Sequence, residues 1–408
     1  MLSQFTVKNF KSIRDEMVFD MQAATAISEH TDRLITSSNN EKFLPVSVIY
    51  GPNGGGKTNV LKAIHTLELK VLRPFYITES DERSRFYVKN IEIVPFVFSE
   101  FSKNNPTEFE LFFQTSKAEY RYILHVIQDE IIYENLSMKK FKTRRITDIF
   151  ERAHGEIIMG DGFSKLKVSN DISDTLPLLS YLGITYRKNE VIADCINWFE
   201  KGIKFLNYGS PIQELQLAIA NSANNKELIL DMIKEMDLDI DDFRVERKDN
   251  DSIHVFTSHN IDGKSYEIDL TEESSGTRKI FGLLPFIAES ITNGVTLVID
   301  ELDAKIHPVL LKHIIMLYNS SEINKHGAQL IFTSHDLSTM NSDVFRRDEI
   351  WFVAKGHEQN SKLYSLVEFK TPGGTSVRKD AKFDKQYLEG KYGADPYLKN
   401  IIDWSVIK

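Results

Sequence analysis

The 408-residue chain has a single cysteine, Cys195, so it carries no internal disulfide framework and no cysteine-rich zinc site. On an apolar helix face, that thiol is expected to be inert. No run of about 18 apolar residues occurs, and Met1-Leu-Ser-Gln-Phe5 lacks the basic-then-apolar order of a secretory leader. A cytoplasmic protein without a membrane span is therefore expected. Positive charge is not in excess: 50 Lys and Arg stand against 59 Asp and Glu, a net charge of −9. That argues against a protein that coats nucleic acid. No stretch sustains apolar heptads over roughly three or four repeats, so long coiled-coil arms are not expected. Internal repeats and low-complexity tracts are also missing. The hydrophobic share of 41% is that of an ordinary globular protein, with room for two or three domains or one large core with an insertion.

What is present begins at Val46-Ser-Val-Ile-Tyr50, an apolar run followed directly by Gly51-Pro-Asn-Gly-Gly-Gly-Lys-Thr58. Strand, glycine loop and helix start follow in one line and fit the phosphate-loop pattern at Gly51, Gly56, Lys57 and Thr58. Glycines let successive backbone N–H groups converge on a phosphate. The helix start adds partial positive charge. Lys57 is placed to reach the β- and γ-phosphates, and the Thr58 hydroxyl to ligate Mg²⁺.

Far downstream, Val295-Thr-Leu-Val-Ile299 reads as a fully buried parallel strand. It delivers Asp300 and Glu301 at its C-terminal end, where α/β sheets place ligand-binding groups. Asp300 is the candidate for holding Mg²⁺, and Glu301 for polarising the attacking water. Glu273-Ser-Ser-Gly-Thr-Arg-Lys279 opens an apolar helix, with Ser275 lying 25 residues before Asp300. Ser275 and Gly276 there make a second candidate anion site. Gln329-Leu-Ile-Phe332 reads as another buried strand and ends in Thr333-Ser-His335, whose histidine is placed to touch the γ-phosphate or the water. Taken singly, Ser-Ser-Gly is an ordinary helix cap and a lone histidine an ordinary structural residue. Their order gives them weight.

In that order, the loop, Ser-Ser-Gly-Thr, Val-Ile-Asp-Glu and Thr-Ser-His resemble ATP-binding-cassette ATPases of the SMC/RecF/OLD type. Phe5-Thr-Val-Lys-Asn-Phe-Lys-Ser-Ile13 resembles the first strand pair of that group, which lies beside the nucleotide. Asp300-Glu-Leu-Asp-Ala-Lys-Ile-His-Pro308, Arg347-Asp-Glu-Ile-Trp-Phe-Val353 and Gly390-Lys-Tyr-Gly-Ala394 resemble AAA-type ATPases of bacterial abortive-infection and anti-phage modules. Ser-Ser-Gly-Thr departs from the transporter-type Leu-Ser-Gly-Gly-Gln, no Q-loop glutamine is evident, and Asp395 stands where an apolar residue is the norm.

The resemblance implies an α/β fold: an ABC/SMC-head-like P-loop NTPase with a mixed central sheet, an antiparallel side sheet and an inserted helical region. It implies ATP and Mg²⁺ as ligands, held by Gly51, Pro52, Asn53, Gly54, Gly55, Gly56, Lys57, Thr58 and Asn59. Lys11, Ser12, Ser274, Ser275, Gly276 and Asp303 would join them. Thr58 and Asp300 would face the metal, and Glu301, His335 and Lys57 would carry catalysis. A homodimer or higher homo-oligomer with shared ATP sites is implied as well.

Along the chain, residues 1–138 are expected to form an N-terminal lobe. Ile93–Phe98, Glu108–Gln114, Tyr120–Ile127 and Glu130–Ser137 would be its antiparallel strands. Residues 139–250 read as a mainly helical insertion, carried by Glu190–Phe199 and Leu228–Met236. Residues 251–408 form a C-terminal lobe with Leu363–Phe369 as a late strand. Lys139-Lys-Phe-Lys-Thr-Arg-Arg145, the one dense basic cluster, reads as the solvated end of a hairpin more readily than as a grip on a phosphate backbone. Trp198-Phe199 and Trp351-Phe352 read as core. Only 73 residues follow His335, too few for a further catalytic domain of about 100 residues. The resemblance therefore implies an ATPase that controls a separately encoded effector, a Toprim-like nuclease in many such modules, with a phage trigger. The rival readings are a RecF/SMC-like DNA-repair ATPase and a scaffold that binds ATP with little turnover; direct DNA contact stays open.

Overall fold

The computed structural model describes residues 1–77, 92–143, 145–169, 171–206, 219–220, 222, 225–247, 253–370 and 374–394. Strands β1 (Leu2–Lys8) and β2 (Met17–Asp20) pair first, and β3 (Ile35–Thr36) and β4 (Lys42–Phe43) make a short ribbon before β5 (Val46–Tyr50). The glycine loop then leads into α1 (Lys57–Ile77). After the one-turn α2 (Glu100–Lys103) comes a meander of β6 (Thr107–Gln114), β7 (Ala118–Ile127), β8 (Glu130–Lys140), β9 (Ile146–Ala153) and β10 (Glu156–Met159). These five join β1 and β2 in one antiparallel seven-stranded sheet, ordered β10-β9-β8-β7-β6-β1-β2.

Helices α3 (Leu178–Thr185) and α4 (Glu190–Asn197) precede β11 (Ile203–Leu206). Next come α5 (Lys226–Glu235) and a three-stranded sheet of β12 (Asp242–Arg247), β13 (Ile253–Ile261) and β14 (Lys264–Asp269). The C-terminal part holds α6 (Ser275–Asn293), β15 (Thr296–Ile299), α7 (Pro308–Asn319), β16 (Gln329–Thr333), β17 (Ile350–Lys355), β18 (Ser361–Ser365) and α8 (Phe383–Leu388). The central sheet runs β11-β15-β16-β5-β17-β18, parallel throughout except for the antiparallel edge β18.

The central strands are buried on both faces, which is why they read as continuous apolar runs. Ile49, Val298, Ile331 and Val353 pack toward α1 and the seven-stranded sheet. Val48, Leu297, Ile299, Leu330, Phe332 and Phe352 pack toward α6 and α7 on the other side. Burying Leu297, Val298 and Ile299 stabilises the fold by about 1.5–3 kcal/mol each. That anchors the carboxylates at the strand's end more firmly than any local strain there can disturb.

Two readings of the sequence need correction. Ile93–Phe98 is no strand: Pro95 interrupts it, and Val94 instead accepts a bond from the Lys11 N–H at 2.8 Å. The segment 139–250 is not mainly helical, for it supplies β9 and β10 to the seven-stranded sheet and β11 to the central one. In β9 the pairing jumps from Leu136↔Phe150 to Ser137↔Asp148. Ile149 is thus the extra residue of a bulge, and both Ile149 and Phe150 are buried. The bulge breaks the two-residue alternation and imitates helical spacing. The basic cluster lies at the β8–β9 hairpin end, as expected, with Lys139 near Glu119 at 3.8 Å. Arg144 and Asp395 lie outside the described residues. Cys195, Trp198, Phe199, Trp351 and Phe352 are core.

Candidate active site

Strands β5, β16 and β15 lie side by side and parallel, so their C-terminal ends deliver the glycine loop, Thr333-Ser-His335 and Asp300-Glu301 to one edge. Threonines clamp Asp300 from both sides. Thr58 Oγ1 donates to Asp300 Oδ2 at 2.9 Å and Thr333 Oγ1 to Oδ1 at 2.6 Å. The same Thr333 oxygen accepts the Glu301 N–H at 2.7 Å. Glu301 has φ 52°, a left-handed conformation that costs about 1–2 kcal/mol, less than the burial that fixes the strand before it. Asp303 Oδ2 accepts the His335 N–H at 3.0 Å, while its Oδ1 is buried without a partner. His335 is exposed at the rim. Partial desolvation and the Lys57 charge lower its pKa, so the ring is neutral at pH 7.

Lys57 is buried, its Nζ donating to the carbonyls of Gly51 at 2.8 Å and Pro52 at 3.3 Å. Burial lowers its pKa, and Asp300, Glu301 and Asp303 pull it back up. Two glycines have specific reasons. A Cβ on Gly51 would lie 2.4 Å from the Val353 carbonyl oxygen. One on Gly56, at φ 112°, would lie 2.3 Å from Ser361 Oγ. Gly56→Ala is therefore expected to distort the loop and to weaken nucleotide binding at least tenfold. A binding titration on variant and parent, with circular dichroism as the folding control, checks this.

Ser361 carries no sequence signal. Its hydroxyl donates to the Gly55 carbonyl at 2.7 Å and lies 2.8 Å from Ser12 Oγ, which accepts from Asn59 Nδ2 at 2.7 Å. A buried residue of the edge strand thus fastens the phosphate loop to the first lobe. Lys11, one residue before Ser12, has φ 50°, and burial, then the nearby Lys62, lowers its pKa.

The structure therefore brings together Ser12, the loop from Gly51 to Asn59, Asp300, Glu301, Asp303 and His335. Among the described residues no hydrogen bond joins Ser274, Ser275 or Gly276 to that loop. Ser274 caps α6 by accepting the Thr277 N–H at 3.1 Å, and Ser274 and Ser275 are exposed. Four residues further on is a lysine that sequence reasoning passed over. Lys279 Nζ donates to the carbonyls of Glu301 at 2.9 Å and Ala304 at 2.7 Å. Burial brings its pKa down to about 8.

A phosphate-bound Mg²⁺ fits these groups. Mg²⁺ keeps most of its water and takes one or two protein oxygens beside phosphate, and Thr58 Oγ1 and Asp300 Oδ2 already converge. No group of three or more His, Cys, Asp or Glu is placed to hold a metal among the described residues. No helix among them is long and apolar enough to cross a membrane.

A family model described as "AAA domain, putative AbiEii toxin, Type IV TA system" matches residues 46–341, from the strand before the phosphate loop to beyond His335. The chain belongs to this AAA family. Among solved structures, an SMC head bound to the C-winged helix domain of ScpA is similar at 13% identity and a TM-score of 0.42, covering 89% of this chain and 97% of that one. The SMC head domain of Thermotoga maritima is similar at 13% identity and a TM-score of 0.40, covering 89% and 98%. No curated protein matches. The family assignment rests on the first match, and the P-loop NTPase architecture of this AAA domain on the strand order and the site it builds.

Proposed function

We propose that this AAA protein hydrolyses ATP with Mg²⁺ and uses the cycle as a switch over a separately encoded effector, nuclease-like in kind, in defence against phage. The observation that carries the ATPase reading is the Thr58–Asp300–Thr333 clamp beside a buried Lys57 and a Glu301 whose carboxylate has no hydrogen-bond partner among the described residues. Lys57 meets the β/γ-phosphates with a desolvated charge, where it is worth most. Thr58 and Asp300 would hold Mg²⁺, which supplies charge neutralisation at the phosphate oxygens. Glu301 takes the proton of the attacking water, and neutral His335 donates a hydrogen bond toward the γ-phosphate. The exposed Ser275 and the half-buried Gly276 beside it, with no hydrogen bond to their own chain's loop among the described residues, would face the nucleotide of a second copy.

The defence role draws its support from the family description. It is tested by plating a panel of phages on cells carrying the chain with its neighbouring genes, parent against Lys57→Ala. Protection by the parent that disappears in the variant is expected. Equal plating in both, across the panel, would remove the defence reading while leaving the ATPase site to be judged on its own.

A further inference from the structure

We propose that Lys279 is a positioning residue that couples the start of α6 to the Glu301 turn, so that whatever engages Ser275 and Gly276 from outside the chain sets the orientation of Glu301. This rests on the ATPase reading of the site.

Glu301 is held at both of its peptide groups, and by different elements. Its N–H donates to Thr333 at the end of β16, and its carbonyl accepts from Lys279 on α6. The Ala304 carbonyl accepts from the same ammonium. Within the turn, the Ala304 N–H reaches the Glu301 carbonyl at 3.2 Å, and the Leu302 N–H reaches the Thr333 carbonyl at 3.2 Å. Glu301 and Lys305 have φ 52° and 62°. Conformations of this kind persist only where neighbours over-determine them, and here those neighbours are β16 on one side and α6 on the other.

The helix also rests directly on the turn. A Cβ at Gly276 would lie 3.0 Å from the Lys305 carbonyl oxygen, so the α6 start sits against the turn with little room for a side chain. Ser275, one residue earlier, is exposed. A contact made there by an anion, such as a phosphate held by a second copy of this chain, pushes on a helix whose first turns meet the Glu301 turn at Gly276 and at Lys279. Asp303 and Glu301 face the ammonium and favour its charged form, while Lys305 opposes it. Charge-assisted bonds to two carbonyls transmit displacement better than apolar packing, because their geometry is directional. In an assembly with shared sites, the nucleotide of one copy would thereby bias Glu301 of the other.

The test uses the full chain with Lys279→Met, which keeps the stem and drops the donors, and Lys279→Arg, which keeps charge and reach. ATP-analogue affinity, kcat and amide exchange over residues 301–306 are measured for each. Lys279→Met is expected to lower kcat by about 10–100-fold, the usual loss when an orienting contact is removed. Affinity should stay within roughly twofold of the parent, since uniform binding is untouched. Exchange at Leu302 and Ala304 should accelerate, and arginine should restore most of both effects. A methionine variant with parental kcat or parental exchange overturns the proposal. So does an arginine variant as impaired as the methionine one in turnover and exchange together. If the parent itself fails to hydrolyse ATP, the ATPase reading falls, and the exchange measurement alone decides whether Lys279 holds the turn.

Discussion

Replacing Lys57 by alanine should weaken ATP binding by roughly 10²–10³-fold, the cost of removing a desolvated charge from a phosphate contact. Phosphate release should fall to background. The reason lies in the burial of Lys57 between the loop carbonyls and the three carboxylates that follow β15. A flexible surface lysine would lose far less. The substitution also strands the Gly51 and Pro52 carbonyls, which lose their donor. Stability should drop by about 1–3 kcal/mol, the penalty for a buried polar group left unpaired. That leaves a folded protein, since the cores on both faces of the central sheet are untouched. Calorimetric titration with ATP, beside a denaturant curve, separates the two effects. A variant that binds ATP as tightly as the parent would remove Lys57 from the site.

Glu301→Gln should leave ATP bound, slow its hydrolysis by roughly 10²–10⁴-fold as general-base catalysis is lost, and accumulate an ATP-bound assembly. The glutamine keeps the shape of the side chain, and the Glu301 backbone remains held by Thr333 and Lys279. Anything that binds only the assembled form stabilises that form by mass action, so nucleotide that is not consumed should drive two copies together. The exposed Ser275 is the residue predicted to meet the partner's nucleotide. Adding Ser275→Arg should block that approach, and light scattering should then show no ATP-dependent gain in mass. A Glu301→Gln protein whose mass is indifferent to ATP, or an arginine with no effect on assembly or on parental hydrolysis, would end the shared-site account.

The parts of this site that were legible in the sequence are those carried by short continuous segments. Val46–Tyr50, Thr296–Ile299 and Gln329–Thr333 are buried on both faces, so burial alone writes them as apolar runs, and their ends carry Lys57, Asp300 and His335. That β16 lies between β5 and β15, the arrangement that lets Thr333 clamp Asp300, is a matter of pairing and is not written in any one segment. β9 was hidden because its bulge at Ile149 imitates helical spacing. β11 is four residues long, follows a π-turn at Trp198–Gly202, and finds its partner β15 far along the chain. Ser361 and Lys279 were invisible for a related reason: each acts through backbone carbonyls, which leave no trace in side-chain chemistry.

The most direct test of the central claim, that the ends of β5, β15 and β16 build an ATP-hydrolysing site, is a single-turnover experiment with trace ATP, excess protein and Mg²⁺, parent against Glu301→Gln. Both proteins should capture the same fraction of the nucleotide, and only the parent should convert it to ADP and phosphate at a measurable rate. Conversion by Glu301→Gln at the parental rate, or a parent that holds ATP and never converts it, would contradict the account.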